Sequence, residues 1–314
     1  MKVVFLFPGY GSQFVGMGRE LYNDYPRVVK LFEEAEATLH RNLARILFTS
    51  SEEELDKITT AYPILFLVGY VIGALFKDEE IVPTLLMGNN IGDFAAIAAA
   101  GGMNLSDGIA LINTYAQLYE DYLSTHAVAI IRVEKIDRSA LQSFCDQAIK
   151  HDQRVDIAMS LSKVEHRVSG TQDAITALKK LLDAHDIAWA DEEFGYEMHS
   201  ALAQEVAVTF KQYLASTSIK SLSLPVMRSS DAHIIKTKEE VIQTLTDSIT
   251  SEVRLDLVHN ALADADIIAH FGLDDRQSDI LQALYPKKII MLVTQRSDIM
   301  EIKRIIQMQP QLEK

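Results

Sequence analysis

A single cysteine, Cys145, stands in 314 residues, so no internal disulfide can form and a reducing, cytoplasmic setting is expected. It falls inside the helical pattern of residues 139–150 and reads as a small buried hydrophobe rather than a catalytic thiol. No run of about eighteen uninterrupted apolar residues is present to cross a bilayer. The apolar start, Val3 to Phe7, is short, lacks a signal-peptide layout and reads as a buried first strand that turns at Pro8-Gly9. There is no H-E-x-x-H, no C-x-x-C, no G-x-x-x-x-G-K-[ST] and no dinucleotide G-x-G-x-x-G behind a strand, which removes the classes those motifs serve. Internal repeats and low-complexity linkers are also missing. Positive charge is in deficit, 30 Lys and Arg against 44 Asp and Glu for a net −14. That balance argues against nucleic acid or an anionic membrane as partner. Asp264 with Asp266, Asp274-Asp275, Asp191-Glu192-Glu193 and Glu239-Glu240 read as solvated carboxylates, so no metal site is expected.

What the chain does hold is 48% hydrophobic content, enough for one large core with a smaller one beside it. Its most informative stretch is Leu85-Leu86-Met87-Gly88-Asn89-Asn90-Ile91-Gly92-Asp93, followed by the alanine-rich run Ala95 to Ala100. An apolar strand, a turn bounded by two glycines and a helix form the layout of a nucleophile elbow, G-x-S-x-G. The position of the nucleophile is Asn90. A carboxamide has no ionisable oxygen and cannot attack as a serine does. Asn does tolerate the positive φ that this position demands, so the turn survives the substitution.

Helical signals fill residues 25–76, with Pro26 opening one helix, Ser51 capping another and Tyr62-Pro63 opening a long apolar third. A helix over 91–100 follows the elbow strand at 84–87, and Ser106-Asp107 caps the next. Residues 126–195 then alternate as strand 127–133, helix 138–151, strands 155–161 and 165–169, helix 171–184 and strand 187–191. That βαββαβ order is ferredoxin-like. Long helices return after His199, with short strands at 223–227, 267–271 and 288–293. The expected fold is α/β: an α/β-hydrolase-like large domain (1–125 and 196–314) carrying an inserted ferredoxin-like small domain (126–195).

Four features in register now carry a resemblance. Phe7-Pro8-Gly9-Tyr10-Gly11-Ser12-Gln13 with Val15-Gly16-Met17-Gly18 resembles the F-P-G-Q-G-S-Q…G-M opening of malonyl-CoA:acyl carrier protein transacylases and polyketide acyltransferase domains. The elbow resembles that family's G-H-S-x-G-E, Met198-His199-Ser200 its catalytic-histidine segment, and the insert its small subdomain. The resemblance implies an acyl group loaded from coenzyme A onto the elbow residue and passed to the phosphopantetheine thiol of a carrier protein. It gives His199 the place of the general base and the backbone N–H groups of Tyr10 and Ile91 that of the oxyanion hole. It also places Asn89, Tyr115, Gly9 and Gly11 around the substrate, Tyr115 standing where the family's malonyl-binding arginine would be. Departures from the pattern gather at the chemistry: Asn90 for serine, Asn89 for histidine, Asp93 for glutamate, Tyr10 for glutamine, Phe271-Gly272-Leu273 for G-P-G and Met159-Ser160-Leu161-Ser162 for an asparagine-rich strand turn.

The expected function is therefore a catalytically impaired transacylase, a pseudoenzyme of fatty-acid or polyketide biosynthesis. It would bind a carrier protein, an acyl-thioester or a synthase partner, with no cofactor and with coenzyme A or phosphopantetheine thioesters as candidate ligands. An alternative is an active transferase or thioester hydrolase in which His199 serves as base without a covalent intermediate. A monomer is expected. His199 is expected to hydrogen-bond Asn90, Ser12 to bond backbone, and Tyr10 and Tyr115 either to pack or to plug the pocket.

Overall fold

The computed structural model describes residues 1–149, 154–192, 198–272 and 275–308. Strand β1 (Val3–Phe7) leads into α1 (Arg19–Asp24), α2 (Pro26–Leu39), α3 (Leu43–Thr49), α4 (Glu52–Leu55) and α5 (Ile58–Asp78). Then come β2 (Leu85–Gly88), α6 (Gly92–Ala99) and α7 (Leu105–Thr125). The next six elements are β3 (Val128–Glu134), α8 (Arg138–Ala148), β4 (Val155–Ser162), β5 (Glu165–Thr171), α9 (Gln172–Asp183) and β6 (Trp189–Asp191). The chain continues through α10 (Gln204–Ser216), β7 (Val226–Met227), β8 (Ile234–Ile235), α11 (Lys238–Asp247) and β9 (Val253–Arg254). It ends with α12 (Leu255–Ala261), β10 (Ile267–His270), α13 (Asp275–Leu284), β11 (Ile289–Leu292) and α14 (Arg296–Met308).

The larger sheet runs β11-β10-β1-β2-β7-β8, parallel except for the β7–β8 edge. Successive side chains of a strand point to opposite faces. Val3, Phe5 and Phe7 thus join the main helical core, while Val4 and Leu6 pack with Val258, Leu262 and Leu281 on the other side. Burial on both faces is why β1 reads as an unbroken apolar run. The smaller sheet has the order β6-β3-β5-β4-β9, with α8 and α9 closing its own core over Ile131, Leu141, Val168 and Leu178. Its first four strands and two helices are the ferredoxin-like arrangement, so the expected α/β architecture of large and small units is what the chain adopts. The 195/196 boundary and the helix end at His151 lie outside the described residues, as do Glu193, Leu273 and Asp274. Cys145 is fully buried in α8, its thiol pushed up to about 12 by burial.

The long apolar helix begins five residues earlier than its proline suggests. Pro63 lies inside α5, where it lacks the N–H that would meet the Thr59 carbonyl. Arg41 fills the gap, donating to that carbonyl at 2.5 Å and to Thr60 Oγ1 at 3.0 Å. We predict that Arg41→Ala destabilises the protein by about 1 kcal/mol in urea titration, the cost of leaving a partly buried acceptor without its donor. At 21 residues α5 is long and apolar enough to cross a membrane, but most of its surface is buried in the core. It lies close against α6, since a Cβ on Gly69 or Gly73 would come within 2.7 Å of Ala95 Cβ and 2.9 Å of Ala99 Cβ. The alanine-rich run is thus a packing surface. Asn104, not Ser106, caps α7, accepting from Asp107 N–H at 2.7 Å.

Candidate active site

β2 ends at Gly88 and α6 starts at Gly92, leaving three residues to reverse the chain. The turn closes through Gly92 N–H to Asn89 O at 2.9 Å and Asp93 N–H to Asn90 O at 3.1 Å, and Asn89 N–H ties it to Phe7 O at 3.0 Å. Asn90 stands at its peak with φ 56°, the left-handed region that strained functional turns occupy. Gly9 abuts the turn: a Cβ there would lie 3.2 Å from Asn90 Cβ and 2.7 Å from Asn89 O.

His199 reaches the same point from the segment before α10, with φ 38°. Its Nδ1–H donates to Ser248 O at 2.7 Å. A carbonyl can only accept, so the proton is on Nδ1 and Nε2 carries the lone pair. Asn90 Nδ2 donates to that lone pair at 2.7 Å. The same carboxamide then turns Oδ1 toward its own neighbour, where it accepts the Ile91 N–H. One side chain therefore occupies both the histidine's basic nitrogen and the expected oxyanion donor. Both residues are 6% exposed, and burial pushes the imidazole down to about 4 despite the Ser248 bond.

Asp93, next in α6, is the second perturbed group. Burial pushes it up to about 7, against the opposing donation from Ser229 Oγ at 2.9 Å. His259 and His270 are also pushed down to about 4 by burial. Unfolded, the three histidines bind protons near 6.5, so their contribution is complete above that pH and is lost as pH falls toward 4. Asp93 works oppositely. Its unfolded value of 3.8 means that its contribution is present at low pH and lost as pH rises through 7. Among these four groups, three protons against one leaves a slope of about 2.7 kcal/mol per pH unit between 4 and 6.5, and His166, also held down by burial, acts in the same direction. Urea midpoints are expected to fall from pH 7 to pH 5, and to fall more steeply in Asp93→Asn; a flat profile would contradict these assignments.

Tyr10 is buried, its ring 5.9 Å from Tyr62 and its hydroxyl donating to Asp56 O at 2.6 Å. Tyr62 meets Tyr115 at 5.6 Å, and Tyr115 meets Tyr119 at 5.8 Å and Phe210 at 5.2 Å. Tyr119 Oη accepts the Met198 N–H at 2.7 Å, so a ladder of four tyrosines joins the glycine-rich opening to the residue beside His199. Asn89 sits beneath the elbow, lining a void of about 10 Å³ with Leu255 and His259. Gly11 has φ 95° and open space where a Cβ would be. Ser12 Oγ donates to Gly9 O, and Ser200 Oγ donates to Asp156 at 2.6 Å.

The structure thus brings Asn90, His199, Ile91 and Gly9 together. Three contributors went unread in the sequence. Ser248 acts through its backbone carbonyl, which no side-chain pattern announces. Ser229 comes from the loop after β7. Tyr119 could have been found, since it lies four residues from Tyr115 on the same helical face.

The family model for the acyl transferase domain matches residues 4–269. A malonyl CoA-acyl carrier protein transacylase of Bacillus subtilis (strain 168) is 28% identical over 262 residues, 83% of each chain. The solved malonyl CoA-acyl carrier protein transacylase of Coxiella burnetii superposes with a TM-score of 0.89 at 20% identity, over 96% of both chains. A malonyl-transacylase solved in complex with its type II PKS acyl-carrier protein gives 0.88 at 19%, over 96% of this chain and 98% of that one.

Proposed function

The chain belongs to the acyl transferase domain family, and from that premise we propose that it is a member disarmed for covalent acyl transfer. Asn90 stands where a malonyl-CoA:acyl carrier protein transacylase has its serine, and the site is kept for binding an acyl-thioester or a carrier-protein partner. One observation carries the reading: the Asn90 carboxamide takes His199 Nε2 and the Ile91 N–H at once. Its nitrogen lone pair is delocalised and its oxygen has no proton to give up, so neither atom attacks a thioester. The base and the oxyanion donor are present but satisfied by their own chain. Tyr115, packed among Tyr62, Phe94 and Phe210, supplies no cation for a malonate carboxylate, so an uncharged acyl group suits the site better. The lone buried thiol of Cys145 supports a cytoplasmic setting.

The test is incubation of the purified chain with malonyl-, acetyl- and longer acyl-coenzyme A, followed by intact-mass measurement. No covalent adduct is expected, while acyl-carrier protein binds in calorimetry. A stoichiometric acyl-enzyme overturns the reading. A second reading has one observation in its favour: His199 is neutral and oriented by Ser248, as a base acting directly on water or thiol must be. Thioester turnover by the wild-type chain that disappears in His199→Ala would select it.

A further inference from the structure

A cavity of about 470 Å³ opens at the end of α6 remote from Asn90. Eight residues of helix, at 1.5 Å each, put about 12 Å between the two places. The floor is apolar: Phe5, Phe76, Ile81 and Leu86 are each at most 4% exposed, and the rings of Phe5 and Phe76 lie 4.3 Å apart. Three cations line it from three separate segments: Arg27 at the start of α2, Lys77 at the end of α5 and Lys220 after α10. Among the described residues no carboxylate lines it, in a chain with fourteen more acidic than basic residues. Arg27 shares Asp78 at 2.5 Å, whereas neither lysine has a carboxylate partner among the described residues.

The amino-terminal turn of α2 reaches the cavity at Arg27 and the cap of α7 at Asn104, whose Nδ2 donates to Asp107 at 2.8 Å. Carbonyls at the opposing carboxyl ends of α5 and α6 are already engaged, Phe76 O by Ile81 N–H and Ile97 O by Gly102 N–H, both at 2.9 Å. The volume lies within the roughly 300–1,000 Å³ of small-molecule sites, which combine apolar walls with a few convergent polar groups.

We propose that this cavity binds a single-chain amphiphile with an anionic head, carboxylate or phosphate, its tail on the Phe5–Phe76 floor and its head between Lys77 and Lys220. The site is independent of the reading of the elbow. Calorimetry on the full chain with decanoate, decyl phosphate and decanol tests it. One-to-one saturable binding of an anion is expected, with decanol at least about tenfold weaker, the size of one charge-assisted hydrogen bond. Tighter decanoate assigns a carboxylate head and tighter decyl phosphate a phosphate head. The exposed double variant Lys77→Ala/Lys220→Ala should weaken the anion about tenfold and leave decanol unchanged. Ala74→Phe, which puts a ring into the apolar half, should weaken all three, and Asn90→Ser should weaken none. Absence of saturable anion binding, equal affinity for decanol, or indifference to the lysine pair overturns the proposal.

Discussion

Asn90→Ser is expected to turn a chain that forms no adduct with acetyl-coenzyme A into one that acylates itself, a gain of roughly three orders of magnitude or more. The substitution removes two obstacles at once. His199 Nε2, now engaged by Asn90 Nδ2 at 2.7 Å, regains a free lone pair beside a hydroxyl it can deprotonate. The Ile91 N–H, now held by Asn90 Oδ1, becomes available to the tetrahedral oxyanion. The imidazole needs no rebuilding, because Ser248 O already fixes its tautomer. Two features restrain the gain. Burial holds His199 down to about 4, which weakens it as a base, and serine at φ 56° costs more than asparagine does. Acetyl should be accepted over malonyl, since Tyr115 offers packing and no guanidinium. Intact-mass spectra and quenched-flow acylation rates are the readout. An Asn90→Ser variant with wild-type thermal stability and no adduct would move the block from the elbow to the tyrosine ladder.

Gly92→Ala should have a large effect on folding, a loss of about 3–5 kcal/mol. A Cβ at this position would lie 2.4 Å from Phe7 O, 2.7 Å from Pro8 O and 2.9 Å from Phe7 C. These are main-chain atoms at the end of the central strand and cannot swing aside as a side chain does. Relief requires α6 to withdraw from β1, which would open the Gly69–Ala95 contact with α5 as well. Urea titration followed by circular dichroism measures it. A loss below about 1 kcal/mol would mean that the elbow rests on the sheet more loosely than these distances state.

Much of this architecture is legible in the sequence because burial leaves a period. The two-faced run of β1, the strand–turn–helix at 85–93 and the βαββαβ order each repeat a geometric rule over enough residues to be recognised. The differences have local causes. Proline normally marks the start of a helix, and the carbonyl that Pro63 leaves without a donor is met by the Arg41 guanidinium from a separate segment, which no local pattern shows. Ser106 competes with Asn104 as a cap, and the side chain that meets the Asp107 amide decides. β8 and β9 contain two residues each, too few for any alternation to show. At the site, the residue types could be read but their bonding could not. That Asn90 would spend its oxygen on the next N–H in its own chain follows from the backbone turn, which no composition encodes.

The two-residue β9 pairs parallel with β4, Met159 opposite Val253 and Ser160 opposite Arg254, and Glu252 just before it takes Ser160 Oγ at 2.6 Å and Arg138 at 2.5 Å. Ser248, four residues upstream of Glu252, is the one whose carbonyl steadies His199. The inserted unit is consequently not a transplantable cassette. Cut out alone, it would bare the β4 margin to strands of other molecules; deleted, it would strip the stretch after Ser248 of its Ser160 and Arg138 contacts and leave it held from the large unit alone, through bonds such as Arg254 N–H to Ser229 O at 2.8 Å. Any graft between relatives must carry both ends of that stitch.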